Sequence, residues 1–337
     1  PYESWFFYSW RLTNSRKIRR KMEIIRSFEN LSSISASALS VGNYDGIHLG
    51  HKDVIDYIVK YARKHSIPSC VITFDPNPYY VLRNGDSPIN IQSIDSKIEL
   101  LEKMGIDKVL VIPFTKQFSR MSATDFANQI IKKIFNPKLI AVGKNHYFGF
   151  KKKGNLDFLI EFCLNNGIEL FTPNIRKVDN RAISSTSIRE LIRDGKLDVI
   201  PPLLGRFYGF QAKVVHGSHR GKSLNYPTAN FIATNKHQVL PQNGVYLSRV
   251  TLEEEKYFGM CNIGFRPTFN EKKFVMEVHI LSNKFSDLYD KDFHIEFLLK
   301  IRNEKRFDNK EELIKQIEKD KEVCIKLIDS SKENYEI

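Results

Sequence analysis

An α/β half followed by an all-β half is the fold class this sequence predicts, and three observations predict it. Between residues 36 and 172, short β-rich runs alternate with segments of helical periodicity, at a spacing of about thirty residues. Beyond residue 202 the helical rhythm gives way to short β runs separated by Gly, Pro and Asn. The chain has 337 residues, enough for two separate cores.

Taken in order, residues 1–21 stand apart. Six basic residues there face only Glu3, and the well-patterned sequence follows Met22. The stretch reads as a leader or disordered extension and stays out of the fold argument. The β-rich runs are then 36–41, 69–74, 108–114, 139–143 and 168–172. In the segment 51–64 between the first two, Val54, Ile55, Ile58, Val59 and Ala62 make one apolar helical stripe. Segments 122–134 and 156–164 behave alike. Strands alternating with helices form right-handed βαβ units, hence a parallel sheet covered on both faces. Residues 198–202, Asp-Val-Ile-Pro-Pro, read as a linker. The runs 210–215, 245–252, 258–263, 275–281 and 293–299 come next, and turn-punctuated strands of this kind build a small barrel or a sandwich. A helix over 310–328 closes the chain, with Leu313, Ile314, Ile317, Cys324, Leu327 and Ile328 on its apolar side. The expected division is 22–200 and 203–330.

Bulk properties exclude several classes. No apolar run approaches the roughly 18 residues of a membrane span. Cys70, Cys163, Cys261 and Cys324 lie far apart without a C-x-x-C pair, which argues against a zinc ribbon or disulfide framework and fits a reducing cytoplasm. The net charge of +13 fits nucleic acid, a membrane surface or anionic small substrates. Outside the leader its only tight run is Lys151-Lys152-Lys153, the usual composition of a solvated loop. There is no basic stripe interleaved with stacking aromatics, so no nucleic-acid partner is expected. The residues carry no signature of an oligomeric state.

The first chemistry-bearing segment is 41–51, Val-Gly-Asn-Tyr-Asp-Gly-Ile-His-Leu-Gly-His, between the first strand and first helix. Ligands bind at the carboxyl ends of strands in such sheets. Glycines such as Gly42 and Gly50 let backbone approach a phosphate beside Asp45, and the helix N-terminus adds N–H donors. His48 and His51 would reach the same anion. Four residues of H-x-G-H arise often by chance, and it is the placement that gives the motif weight. A second candidate is Ser185, Thr186 and Arg189, hydroxyls at a helix start followed by a guanidinium, a good phosphate clamp. The same stretch also reads as a simple capping box, Ser187-x-x-Glu190. A third is 142–149 with Asn145, by itself no more than a loop.

In the second half the richest block is 214–231. A Gly-rich turn with Gly217 and Gly221 would wrap ATP phosphates with backbone N–H groups, and Lys222 adds a point charge. It lacks the Walker A pattern. Thr228 and Asn230 offer hard oxygen donors on one side of an extended strand, the pattern a shared Mg²⁺ requires. In 274–281 the residues alternate, so Glu277 and His279 face one way and Met276, Val278 and Ile280 the other. A carboxylate so placed accepts a hydroxyl proton if it faces substrate, although a strand Glu is more often only solvated. Arg302 is the remaining candidate for a substrate contact, with a surface salt bridge as the plainer reading.

Together these segments, with Phe74-Asp75-Pro76-Asn77-Pro78, resemble in order and spacing the prokaryotic bifunctional riboflavin kinase/FMN adenylyltransferase (FAD synthetase) family over roughly residues 22–330. The resemblance implies a Rossmann-like nucleotidyltransferase domain followed by a small antiparallel β-barrel with a C-terminal helix. It implies phosphorylation of riboflavin to FMN and adenylylation of FMN to FAD, both with ATP and Mg²⁺. His48 and His51 would stabilise ATP phosphates. Asn145, Ser185, Thr186 and Arg189 would hold ATP or the FMN phosphate. Thr228 and Asn230 would bind Mg·ATP, and Glu277 would be the kinase base. Three positions depart from the family pattern: Tyr44 for Phe, Asn77 for a customary His, and Asn225 for a common Gly. Asn77 and Asn225 motivate an alternative in which one activity is lost, such as a monofunctional kinase. The basic charge motivates another, a nucleic-acid-binding protein on a nucleotidyltransferase-like fold.

Overall fold

The computed structural model describes residues 21–28, 31–83, 89–178, 181–215, 226–267, 272–282 and 291–330. All but the last residue of the expected leader lies outside the described residues. In the first half the strands are β1 Glu23–Ile25, β2 Ser37–Val41, β3 Ser69–Asp75, β4 Lys108–Pro113, β5 Pro137–Ala141 and β6 Glu169–Phe171. They form one sheet in the order β1-β4-β3-β2-β5-β6, every pairing parallel. Burial on both faces explains why β2, Ser-Ala-Leu-Ser-Val, is buried at every position, with its two serine hydroxyls donating to the Phe135 and Ala141 carbonyls.

Helices α1 Leu49–His65 and α3 Ile94–Lys103 cover one face. There Val54, Ile55, Ile58, Ile98 and Leu101 pack on Ala38, Val71, Val109 and Leu139. On the other face Phe126, Ile130 and Ile134 join Leu159, Phe162 and Cys163 over Leu39, Cys70, Ile72 and Ile140. The first three belong to a π-helical stretch, Phe126–Phe135, that continues the single turn α4 Ala123–Asp125; the next three belong to α5 Leu156–Asn166. Alternate residues of each strand therefore feed two cores. Between α1 and α3, the short helix α2 Pro78–Arg83 buries none of its residues.

Several elements of this half escape the sequence pattern, β1 and α3 among them. β1 has only three residues, two of them exposed, and is recognisable only by its pairing with β4. α3 is capped by Ser93, whose side chain accepts from the Ser96 N–H, but Lys97 interrupts its apolar side. The sheet is followed by a short antiparallel pair, β7 Lys177–Val178 and β8 Arg181–Ala182, then by α6 Ser185–Arg193 and α7 Pro201–Leu204. The expectation of a linker at 198–202 is corrected here. Ile200 is fully buried, Pro201 and Pro202 form the first turn of α7, and Leu203 and Leu204 enter the core. One apolar cluster holds Ile188, Ile192, Leu197 and Ile200 together with Tyr208, Phe210 and Phe297 of the second half.

The second half is a closed barrel of β9 Tyr208–Val215, β10 Ala229–Ala233, β11 Gly244–Leu252, β12 Glu255–Pro267, β13 Lys272–Ile280 and β14 Asp292–Arg302. All neighbours are antiparallel, and the β9–β10 pairing closes the ring, which decides for a barrel over a sandwich. Gly209 lets β9 approach β14 closely: a Cβ there would lie 2.3 Å from the Ile295 carbonyl oxygen. Helix α8, Lys310–Ser330, lies on the outside and buries Cys324 against Phe207, Leu247 and Leu298. Arg302 fixes it. Its Nε lies 3.0 and 2.9 Å from the two Asp320 carboxylate oxygens, and its Nη2 lies 2.8 Å from Oδ2. Among the described residues no helix is long and apolar enough to cross a membrane.

Asp320 is 3% exposed, so Asp320→Ala leaves a partly buried guanidinium without its carboxylate. The expected loss is about 2 kcal/mol or more of unfolding free energy, read from urea midpoints against the parent chain.

Candidate active sites

From β2 the chain crosses to β3 on one side, while β5 lies on the other, so the loops after β2 and β5 leave the sheet at its topological switch point. The loop after β2 is strained. Tyr44, Gly46 and Ile47 all have positive φ, at 49, 86 and 35°, and for β-branched Ile47 this is unfavourable backbone. Three distant segments hold it. The Asp45 carboxylate accepts from the Ile91 N–H at 2.9 Å and from Arg189 Nη2 at 2.7 Å. The Ser185 hydroxyl donates to the Asp45 carbonyl at 2.8 Å. Arg206 Nη2 donates to the Gly46 carbonyl at 2.6 Å. Burial pushes the Asp45 pKa up, with the charges of Arg189 and Lys97 opposing it.

His48 caps α1, its Nδ1 accepting from the His51 N–H at 3.3 Å. An accepting Nδ1 leaves the hydrogen of the neutral ring on Nε2. The two imidazoles stack at 3.7 Å and 14°, and Tyr44 meets His51 edge-on at 5.1 Å. Burial lowers the His48 pKa to about 4, with the Arg206 charge adding to it. Burial takes His51 well below its ordinary value, helped by His48 and Lys97. Both rings are therefore neutral N–H donors at neutral pH. Beneath them Lys97 Nζ donates to the Thr73 hydroxyl at 3.3 Å, and that hydroxyl donates to the Asn43 carbonyl at 3.2 Å. Burial lowers the Lys97 pKa to about 8, against the pull of Asp45 and Asp75.

On the barrel, Ala229 and Phe231 point inward, which turns Asn230 outward. Met276 and Val278 likewise point inward, leaving Glu277 outside. Asn230 stands directly opposite Glu277 across β10 and β13, and Asn262 of β12 faces Glu277 from the other side. The outer surface thus carries a row of two amides around one carboxylate. His279 lies on the same face, its Nδ1 2.8 Å from the Pro227 carbonyl and its ring edge-on to Tyr226 at 5.5 Å.

Two family models match the chain, one described as FAD synthetase over residues 31–187 and one as riboflavin kinase over residues 204–328. A bifunctional riboflavin kinase/FMN adenylyltransferase of Buchnera aphidicola subsp. Schizaphis graminum is 35% identical over 310 residues, 90% of this chain and 98% of its own. The protein of that name from Escherichia coli strain K12 is 32% identical over 302 residues, 89% of this chain and 96% of its own. The chain belongs to the bifunctional riboflavin kinase/FMN adenylyltransferase family. A crystal structure described as a macrolide-efflux protein from Streptococcus pneumoniae shares the fold, with a TM-score of 0.80 and 29% identity over 90% of this chain and 99% of that one.

Within this family member the residues singled out by sequence fall into three groups. Gly42, Asp45, His48, Gly50, His51, Ser185 and Arg189 gather around the β2 loop. Gly42 and Gly50 leave little room there: a Cβ on Gly42 would meet the Tyr44 ring at 2.8 Å, and one on Gly50 the His48 ring at 3.3 Å. Arg189 and Asp45 are largely engaged with each other, and Arg189 Nε also donates to the Ile89 carbonyl at 2.6 Å. The capping box forms three residues earlier than expected, between Ser184 and Ser187. Thr186 and Asn145 are exposed. Asn230 and Glu277 form the second group, with Thr228 just before β10. In the third, Arg302 gives its guanidinium to Asp320, and Gly217, Gly221, Lys222 and Asn225 lie outside the described residues. Asn77 caps α2, its Oδ1 accepting from the Tyr79 N–H at 3.1 Å.

Sequence reasoning passed over Lys97 and Arg206. The signal for Lys97 was a lysine at helical spacing between Ile94 and Leu101; Arg206 had none. His146, after β5, also went unremarked: burial lowers its pKa to about 4, and its Nε2 has no hydrogen-bond partner.

His48, His51 and His146 have folded pKa values below the ordinary 6.5. Between about pH 6.5 and 4 the unfolded chain binds protons that the folded chain refuses. Stability is therefore full above pH 6.5 and falls as pH drops, by up to about 1.4 kcal/mol per pH unit for each ring. Urea denaturation across that window should show the slope, and His146→Phe should make it shallower.

Proposed function

We propose that this chain carries out both reactions of its named relatives, riboflavin + ATP → FMN + ADP and FMN + ATP → FAD + pyrophosphate. The single observation that carries the reading is the strand register that sets Asn230 opposite Glu277, on a chain that also holds the His48–His51 pair at a sheet switch point. Its division into an adenylyltransferase domain, 22–200, and a kinase domain, 203–330, and a cytoplasmic location belong to the same reading. No nucleic-acid partner is invoked.

In the kinase step the Glu277 carboxylate takes the proton of the ribityl 5′-hydroxyl, and the freed oxygen attacks the γ-phosphorus of ATP in line as ADP departs. Gly217, Gly221 and Lys222 are assigned to the ATP phosphates. Among the described residues no three His, Cys, Asp or Glu side chains come together as a metal cage. The donors at hand are the hard oxygens of Thr228 and Asn230, a set that suits Mg²⁺ held mainly by ATP phosphates. When bound, Mg²⁺ supplies neutralisation of charge on the phosphate oxygens. Thr228 and Asn230 orient that phosphate chain toward Glu277.

In the adenylylation step an oxygen of the FMN phosphate attacks the α-phosphorus of ATP, and pyrophosphate leaves. No covalent nucleophile is required; alignment and charge stabilisation suffice. His48 and His51 donate N–H groups to the α-phosphate and the departing pyrophosphate, reinforced by the N-terminus of α1. Gly42 and Gly50 allow the close approach. Asn145 reaches the ligand from the loop after β5, and Thr186 from the first turn of α6. Ser185, Arg189 and Asp45 serve mainly by holding the loop.

The test is to assay the two steps separately by chromatography. Glu277→Gln should reduce FMN formation about 10²–10⁴-fold and leave FAD formation from supplied FMN intact; FMN formation at the parent rate would refute the assignment. His51→Ala should do the opposite, cutting FAD formation about 10²-fold with FMN formation unchanged. Chelation of divalent cations should stop both reactions and restoring Mg²⁺ should recover them. No FAD from FMN by the parent chain would leave the monofunctional kinase reading, with Asn77 as the place to look.

A further inference from the structure

The loop that carries His48 is held from the barrel half. Arg206 lies between α7 and β9, two residues before the first barrel strand. Its Nη2 donates to the Gly46 carbonyl at 2.6 Å and to Gln92 Oε1 at 2.9 Å. Its Nη1 donates to the Ile47 and Leu204 carbonyls, each at 3.3 Å. Gln92 in turn donates from Nε2 to the Tyr44 carbonyl at 3.3 Å. The carbonyls of all three positive-φ residues in the loop are thus taken by two side chains that act together.

The consequence for the ligand side follows from peptide geometry. Across a trans peptide the C=O and N–H point in opposite directions. With the Ile47 carbonyl turned toward Arg206, the His48 N–H is turned away from it, at the N-terminus of α1. Arg206 therefore fixes an N–H donor as well as the histidine that follows.

Arg206 does not act on a loose segment. The strip 89–92, which supplies the Ile91 N–H to Asp45 and the Gln92 side chain to Arg206, is hydrogen-bonded to the barrel. The Ile89 and Asn90 N–H groups donate to the His237 carbonyl, each at 2.9 Å, and the Val239 N–H donates to the Asn90 carbonyl at 3.0 Å. Gln238 Nε2 donates to the Ile91 carbonyl at 2.9 Å. Loop, strip and barrel are one hydrogen-bonded unit with a guanidinium at its centre.

We propose that Arg206, supplied by the kinase half, is a positioning residue for adenylyl transfer, holding the His48 loop in its ATP-binding form. The inference rests on the adenylyltransferase reading above. A loop that must be ordered by ATP itself binds ATP more weakly, while the FMN side and the kinase site are untouched. The mark of the role is therefore a selective change in one Michaelis constant.

The experiment compares the full-length parent, Arg206→Met and Arg206→Lys in both reactions, with melting temperatures measured on each. In FAD formation Arg206→Met should raise KM for ATP at least tenfold and leave KM for FMN within twofold. Riboflavin phosphorylation should stay within twofold. Arg206→Lys keeps the charge without the fork and should fall between. An unchanged KM for ATP overturns the proposal, and so does a parallel loss in both reactions or in both substrates, which marks a general structural role. A parent chain that makes no FAD overturns the adenylyltransferase reading instead. If Arg206→Met fails to fold, Gln92→Ala removes one partner of Arg206 and the Tyr44 contact. The same selective rise in KM for ATP is expected there, and its absence overturns the proposal.

Discussion

The buried carboxylate of Asp45 is the constraint on which both the first site and the junction of the halves depend. A charge taken out of water must be matched by partners of good geometry, or it destabilises the fold. Asp45 has the Arg189 guanidinium at 2.7 Å and the Ile91 N–H at 2.9 Å. Those partners come from α6 and from the strip before α3, segments far apart in sequence. The carboxylate draws them onto the loop after β2. The left-handed residues of that loop are unfavourable alone and persist because the surrounding bonds leave them no alternative.

The barrel solves a different problem. A carboxylate and an amide must stand side by side on a stiff surface, and antiparallel pairing does this through register alone. Closure between β9 and β10 fixes β10, and β10 then presents Asn230 to Glu277. The inward residues Ala229, Phe231, Met276 and Val278 lock that register, since a slip of one residue would turn all of them to solvent. Helix α8 leans on the same outer surface, anchored through Arg302 and Asp320.

How much of this was legible depends on how local each feature is. The βαβ rhythm was, because strand and helix periods differ and the runs were long. The outward placement of Glu277 was, because a period of two needs only its neighbours. β1 was not, since three residues carry no period. The junction was misread because Pro201-Pro202 has the composition of a break, whereas its apolar neighbours Ile200, Leu203 and Leu204 find partners only in the folded chain. Among site residues, the glycines and histidines of the β2 loop carry their own motif. Lys97 and Arg206 act through contacts with segments distant in sequence. The capping box lies three residues earlier than expected because Ser184, Ser185 and Ser187 all qualify as caps and packing chose between them. Choosing between barrel and sandwich required the β9–β10 pairing, between strands that thirteen residues separate in sequence.

The apolar cluster across the junction has a bearing on inheritance and engineering. Ile188, Ile192, Leu197 and Ile200 from one side interlock with Tyr208, Phe210 and Phe297 from the other. Two catalytic units joined by a free tether could be exchanged between relatives like beads. Here a graft made at the prolines would have to import its own matching set of large side chains, or leave greasy surface facing water on both pieces. Each half is thus fitted to the other's shapes, and a substitution on one side of the seam has to suit the side chains already present on the other.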